Sequence, residues 1–150
     1  MFKELLSRDR MKTIDSCSSW KHAVRRCAKP LIDEGFIEEA YVGRMIEGIQ
    51  KFGSYYILED GFALPHAPYG DDVKKMGMSL LYLEKPVYLS GQPVQVFWEL
   101  CTMDNESHLD TLAAIGKLFR EKRNMDLLLS GDLDAIYELL MDYDRRVEEE

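Results

Sequence analysis

Hydrophobic periodicity changes twice along this chain, and those changes constrain its fold more than any other feature. From Trp20 to Phe52 apolar residues recur at helical spacing. From Tyr55 to Leu100 they form short runs or alternate, and from Asn105 onward the helical spacing returns. Helices, then strands, then helices predict an α/β or α+β domain in which helices cover one sheet. The chain has 150 residues, a one-domain length, and no internal repeat or linker divides it. A single domain over 1–150 is expected.

The elements follow from local chemistry. Residues 2–11 alternate apolar and charged positions and predict a short helix or lid. Ser18 or Ser19 caps a helix from Trp20 toward Glu34, with Ala23, Val24, Cys27, Leu31 and Ile32 as its apolar face. Pro30 should kink it or begin a fresh turn, and Gly35 ends it. A second helix is predicted over 38–52, marked by Tyr41, Val42, Met45, Ile46, Ile49 and Phe52, with Gly53 as C-terminal cap. Strands are predicted at 55–58, 62–64, 76–83, 87–89 and 94–100, with turns at Glu59-Asp60-Gly61 and Ser90-Gly91-Gln92-Pro93. Two helices close the chain. One runs from near Asn105 to about Glu121, burying Leu109, Leu112, Ala113, Ile115 and Phe119. The other is capped by Asp132 or Asp134 and buries Ile136, Leu139, Leu140 and Tyr143.

Charge narrows the function classes. The net charge is −8, from 19 basic and 27 acidic residues. Non-specific nucleic-acid binding rests on Lys and Arg neutralising phosphates, so no nucleic-acid partner is expected. Docking on anionic lipid is disfavoured for the same reason. No apolar run is long enough to span a membrane, and the N-terminus lacks a signal-peptide core. Cys17, Cys27 and Cys101 are odd in number and scattered, which predicts free thiols and a cytoplasmic setting.

Three histidines remain to carry chemistry. His66 stands in Gly61-Phe62-Ala63-Leu64-Pro65-His66-Ala67, just after a predicted strand. Pro65 has a fixed φ and holds Leu64 extended, so the imidazole is presented rigidly, and Ala67 leaves it accessible. A neutral ring nitrogen there is a candidate nucleophile; the plain alternative is a histidine bonded to a loop carbonyl. His108 lies in the first turn of a predicted helix, where unpaired amides and the helix dipole favour an anion. Its plain alternative is an exposed helix residue. His22 reads as surface. The rival use of His66 and His108 is a metal site with Asp71, Asp72 or Asp104, but no HExxH spacing supports it. Cys101 closes an apolar strand, where a buried cysteine is common. No glycine-rich phosphate loop is present in the sequence, and no cofactor is expected.

The segment from Gly61 to Ala67 is similar to the G-x-A-x-P-H-[AG] phosphorylation signature of the enzyme IIA domains of the bacterial phosphoenolpyruvate-dependent sugar phosphotransferase system, mannitol/fructose type. The resemblance covers nearly the whole chain, and the spacing from His66 to His108 fits that family's second histidine. Phe52-Gly53-Ser54-Tyr55-Tyr56-Ile57-Leu58, the stretch from Gly70 to Gly77, and Leu83-Glu84-Lys85-Pro86-Val87 look most like the L-ascorbate branch.

The resemblance implies an α/β fold with a mixed β-sheet sandwiched by α-helices. It implies His66 as the phosphorylated nucleophile and His108 as the residue stabilising the phosphoryl group, with amides near 105–109 as further donors. It implies phospho-HPr as donor, an enzyme IIB cysteine as acceptor, and the membrane enzyme IIC as the indirect user, with L-ascorbate as the sugar. Mannitol-type members carry an arginine at the position of Gln50, whose nearest positive neighbour is Lys51, so the charge clamp on the phosphate is weaker here or comes from elsewhere. Phe62, Leu64, Pro68 and Tyr69 are expected to form the partner surface. A regulatory module of the same fold, binding a target according to its phosphorylation state, is the alternative. The oligomeric state stays open, a homodimer included.

Overall fold

The structure, a computed structural model, describes residues 1–59 and 61–150, Glu59 by its backbone alone. The expected turn through Asp60 therefore lies outside the described residues. In chain order the elements are α1 (Phe2–Leu5), β1 (Met11–Ile14), α2 (Trp20–Asp33), α3 (Glu39–Phe52), β2 (Ile57–Glu59), β3 (Gly61–Ala63), β4 (Gly77–Leu89), β5 (Gln92–Cys101), α4 (Asn105–Phe119), α5 (Lys122–Ser130) and α6 (Leu133–Glu149), with 3-10 turns at Arg8–Arg10 and Gly53–Tyr56. The strands form one mixed sheet in the order β1-β4-β5-β3-β2. The two inner pairings beside the β4–β5 hairpin, β1 with β4 and β3 with β5, are parallel.

Alternation along the strands sends side chains to two cores. Ala63, Leu81, Leu83 and Phe97 pack under α2 and α3. Phe62, Leu64, Leu80 and Trp98 pack on the other face with α1, α4, α5 and α6. The result is helix, sheet and helix in three layers, the architecture that the resemblance implied.

Local chemistry explains the element ends. Ser19 caps α2, its hydroxyl accepting from the His22 amide at 3.2 Å. Gly53 ends α3 with φ +39° and its N–H on the Ile49 carbonyl. The β4–β5 hairpin turns on two residues, Ser90 and Gly91, both at positive φ, as the tight primed turns require.

Four expectations are corrected. Residues 11–14 form an edge strand, which their short mixed pattern concealed. The predicted strands 76–83 and 87–89 are one strand; the exposed break Glu84-Lys85-Pro86 is where its register with β5 shifts. The region 122–130 is a helix of its own, so three helices close the chain. The strand predicted at 55–58 starts only at Ile57, because Gly53–Tyr56 form a 3-10 turn; α2 continues past Pro30 to Asp33. Two helix faces also differ from expectation. Phe52, at the end of α3, is exposed, and α4 buries Thr111, Ala114, Ile115, Leu118 and Phe119 while Leu109 is exposed. Both exceptions sit around the site described next.

Candidate functional site

Topology brings the two histidines together. β3 and β5 are parallel neighbours, so their carboxyl ends lie side by side. His66 follows the end of β3, and His108 follows the end of β5 in the first turn of α4. Their rings are 4.9 Å apart between centroids and inclined at 61°. The sequence placed each imidazole at an element end; the strand pairing makes them one site.

The loop beyond β3 holds His66 in one orientation. Its Nδ1 is 2.7 Å from the Leu64 carbonyl oxygen. A carbonyl only accepts, so Nδ1 carries the proton and Nε2 keeps the free lone pair. The bland reading of this histidine, a bond to a loop carbonyl, is thus also what frees its other nitrogen. The Tyr56 ring packs against His66 at 5.0 Å. Burial lowers the pKa of His66, the Leu64 carbonyl opposes that, and neighbouring His108 lowers it further. His66 is therefore neutral at neutral pH, the form a nucleophile requires. Burial likewise lowers the pKa of His108. Its Nδ1 lies 3.4 Å from the Thr102 hydroxyl, a long contact that leaves Nε2 as its free nitrogen.

The two rings open on a cavity of about 360 Å³ lined by Phe52, Tyr55, Tyr56, His66, Ala67, Pro68 and His108. Among these lining residues there is no lysine, arginine or carboxylate. Gln50 and Lys51 are both exposed and neither lines the cavity. Of the lining residues Phe52 and Tyr55 are exposed, as is Leu58 in the adjoining groove that also touches His66; Tyr69 and Leu109, next in sequence to the lining residues Pro68 and His108, are exposed too.

Two site expectations are corrected. Phe62 and Leu64 are buried, because they point into the core beneath α4–α6, so of the expected partner surface only Pro68 and Tyr69 are exposed. The α4 amides are largely taken. The Asp104 carboxylate caps the helix, accepting from the Ser107 amide at 2.7 Å and the Ser107 hydroxyl at 3.1 Å, while the His108 amide bonds the Asp104 carbonyl. Those two amides are not free for an anion. Asp72 faces Arg44, with bonds of 2.8 and 2.6 Å, and not the histidines. Cys101 is buried against the Lys75 and Gly77 carbonyls, and its thiol pKa is pushed up to about 12, mainly by burial. His22 closes the first turn of α2, its Nδ1 accepting from the Ser18 amide.

Residues that sequence reasoning missed are Tyr56, which packs on His66, Thr102, which faces His108, and Tyr41, which bonds the backbone at Ala67. Tyr41 carried only the signal of an apolar helix face. Its hydroxyl partners are 26 and 59 residues away.

Fold and site together define a three-layer α/β domain with two facing imidazoles at the carboxyl edge of its sheet. The chain belongs to the EIIA 2 family of the phosphoenolpyruvate-dependent sugar phosphotransferase system, which matches residues 4–143. Proteins of this family are phosphoryl carriers of phosphotransferase type. The chain is 32% identical over 123 residues to the mannitol-specific cryptic phosphotransferase enzyme IIA component of Escherichia coli K12, covering 81% of this chain and 84% of that one. The solution structure of an E. coli protein of that description, CmtB, superposes with a TM-score of 0.82 at 28% identity, over 92% of this chain and 96% of that one. The ascorbate-specific EIIA component of the same E. coli strain is 29% identical over 114 residues, 73% of this chain and 74% of that one. Enzyme IIA of the E. coli mannitol system, solved in complex with phosphorylated enzyme IIB, shares the fold, with a TM-score of 0.78 at 17% identity over 91% of this chain and 97% of that one.

Proposed function

We propose that His66 is the residue phosphorylated in this phosphoryl carrier, that the phosphoryl group arrives from phospho-HPr, and that it leaves to a cysteine of a cognate enzyme IIB. The observation that carries the reading is the locked imidazole. With Nδ1–H held by the Leu64 carbonyl, Nε2 is neutral, free and beside His108. In the transfer, the Nε2 lone pair forms a bond to phosphorus as the N–P bond of the donor phosphohistidine breaks. That electron pair returns to the donor imidazole. His66 keeps its Nδ1 proton and becomes a ring cation, which the Leu64 carbonyl dipole stabilises. No net proton moves.

Such a step needs alignment and stabilisation of spread negative charge more than covalent help. The free nitrogen of His108 supplies a donor when protonated. Exposed Phe52, Tyr55 and Leu58, which line the two adjoining grooves at His66, are apolar surface of the kind that marks a protein-docking face. Docking there excludes water from the phosphoryl group. With this donor and acceptor the proposed reaction would run in the cytoplasm, beside a membrane enzyme IIC. None of this protein's own described helices is long and apolar enough to cross a membrane.

For the sugar we propose L-ascorbate, on the flanking stretches that resemble that branch. The identities to the mannitol-specific and ascorbate-specific relatives, 32% and 29%, do not separate the two. The test is intact mass after incubation with phosphoenolpyruvate, enzyme I and HPr. Wild type should gain one phosphoryl group, His66→Ala none, and His108→Ala the same group more slowly. No gain in wild type would sink phosphotransfer. Onward transfer to an ascorbate-type enzyme IIB, against a mannitol-type one, decides the sugar.

A further inference from the structure

Both peptide groups that flank His66 are tied to a single residue of β5, and one buried hydroxyl completes the tie. The Pro65 carbonyl accepts the Leu100 amide at 3.3 Å. On the other side of His66, the Ala67 amide donates to the Tyr41 hydroxyl oxygen at 3.0 Å. That hydroxyl in turn lies 2.8 Å from the Leu100 carbonyl and 3.1 Å from the Ala67 carbonyl. It has one proton, so the shorter contact to Leu100 is its main donor bond. Two residues beyond Leu100, Thr102 faces His108. The Tyr41 oxygen therefore joins three elements at one point: α3, the His66 loop and the strand end that leads to His108.

Tyr41 is placed for this. It is 1% exposed, with its ring fixed in the core beneath α3. The Arg44 guanidinium lies over the ring at 5.2 Å and is itself held by the two bonds to Asp72. A tyrosine ring is rigid, so the oxygen has little freedom once the ring is packed. Ala67 and Leu100 are 4% and 0% exposed, so no solvent replaces the hydroxyl if it is lost.

We propose that Tyr41 is a positioning residue for phosphoryl transfer, its hydroxyl setting the distance and angle between His66 and His108. The proposal rests on the phosphotransfer reading for its kinetic arm only. Tyr41→Phe removes one oxygen and leaves the Ala67 amide and the Leu100 carbonyl short of a partner. The His66 loop then relaxes away from β5. Since misplacement of reacting groups by about 1 Å costs on the order of a hundredfold, the rate of phosphoryl acceptance at saturating phospho-HPr should fall by roughly ten- to a hundredfold. The KM for phospho-HPr should stay within about twofold, because the docking rim is untouched.

The experiment pairs those kinetics with nitrogen-15 NMR of the histidine rings in the unphosphorylated protein. Wild type should show His66 as the single Nδ1–H tautomer, and Tyr41→Phe should shift it toward a mixture. Tyr82→Phe, which deletes a hydroxyl that serves Gln95 instead, should change neither readout. A folded Tyr41→Phe with unchanged rate and unchanged His66 ring signals would overturn the proposal. If Tyr41→Phe does not fold, hydrogen exchange in the wild type decides. The Ala67 amide should be strongly protected, and exchange at the free-chain rate would refute the bond. Failure of wild type to take up phosphate overturns the phosphotransfer reading, while the NMR and exchange arms still judge the clamp.

Discussion

Glu99 offers the sharpest test of the core. It lies on β5 opposite Ser79 of β4, beneath α2, and is 1% exposed. Neither carboxylate oxygen has a hydrogen-bond partner. Nearby, the Cys27 thiol contacts the Ser79 hydroxyl at 3.4 Å and the Phe97 carbonyl at 3.3 Å. Burial pushes the Glu99 pKa well above its ordinary 4.5, and the nearby Cys27 thiol opposes that. The folded protein thus keeps a proton that the unfolded chain releases. Below pH 4.5 both states hold the proton and Glu99 has no pH effect. Above it, stability falls by about 1.4 kcal/mol per pH step for as long as the buried acid stays neutral. From pH 5 to pH 7 the loss from this one group is therefore at most about 2.7 kcal/mol. Glu99→Gln carries no proton to lose. In urea melts at pH 5, 6 and 7, the variant should gain stability relative to wild type by up to that amount as pH rises. Equal pH slopes in the two proteins would show that Glu99 is ionised in the fold and would refute the reasoning.

Two further predictions concern the site. Because burial lowers the His66 pKa, an NMR titration should place it below the ordinary 6.5, and phosphoryl acceptance should persist as pH falls through that value. The sign for stability is the opposite of that for Glu99: below pH 6.5 the unfolded chain gains the proton first, so acidification destabilises the fold through this ring. A measured pKa at or above 6.5 would contradict the packing described. Gly48 faces Tyr56, and a Cβ there would stand 2.6 Å from the Tyr56 hydroxyl. Gly48→Ala should therefore displace the Tyr56 ring from His66, seen as a shift of the His66 ring resonances with a slower phosphoryl uptake, although alanine favours the helix by about 1 kcal/mol. Unchanged His66 signals would show that Tyr56 does not orient the imidazole.

What was legible in the sequence was local, and what was not depended on contacts between distant segments. The helices at 20–33 and 39–52 could be read because each shows an amphipathic face and a cap within a few residues. His66 could be singled out because Pro65 and a strand precede it. β1 could not, since four residues of an edge strand show too little pattern to distinguish them from a helix end. The rim of the site was misjudged for a related reason. Phe62 and Leu64 stand four and two residues before His66, yet strand alternation turns both into the core beneath α4–α6. Phe52 and Leu109, which continue the apolar pattern of their helices, are exposed at helix ends that border the cavity. An apolar residue that continues its helical stripe to an end beside a reactive side chain is then better read as surface for a partner than as part of the core. Tyr41 is the converse case. It fits the buried stripe of α3 without exception, and its packing alone would account for it. The parallel pairing of β3 and β5 brings Ala67 and Leu100 to the same point, where the Tyr41 hydroxyl bonds both, and the second task proposed for it rests on those bonds.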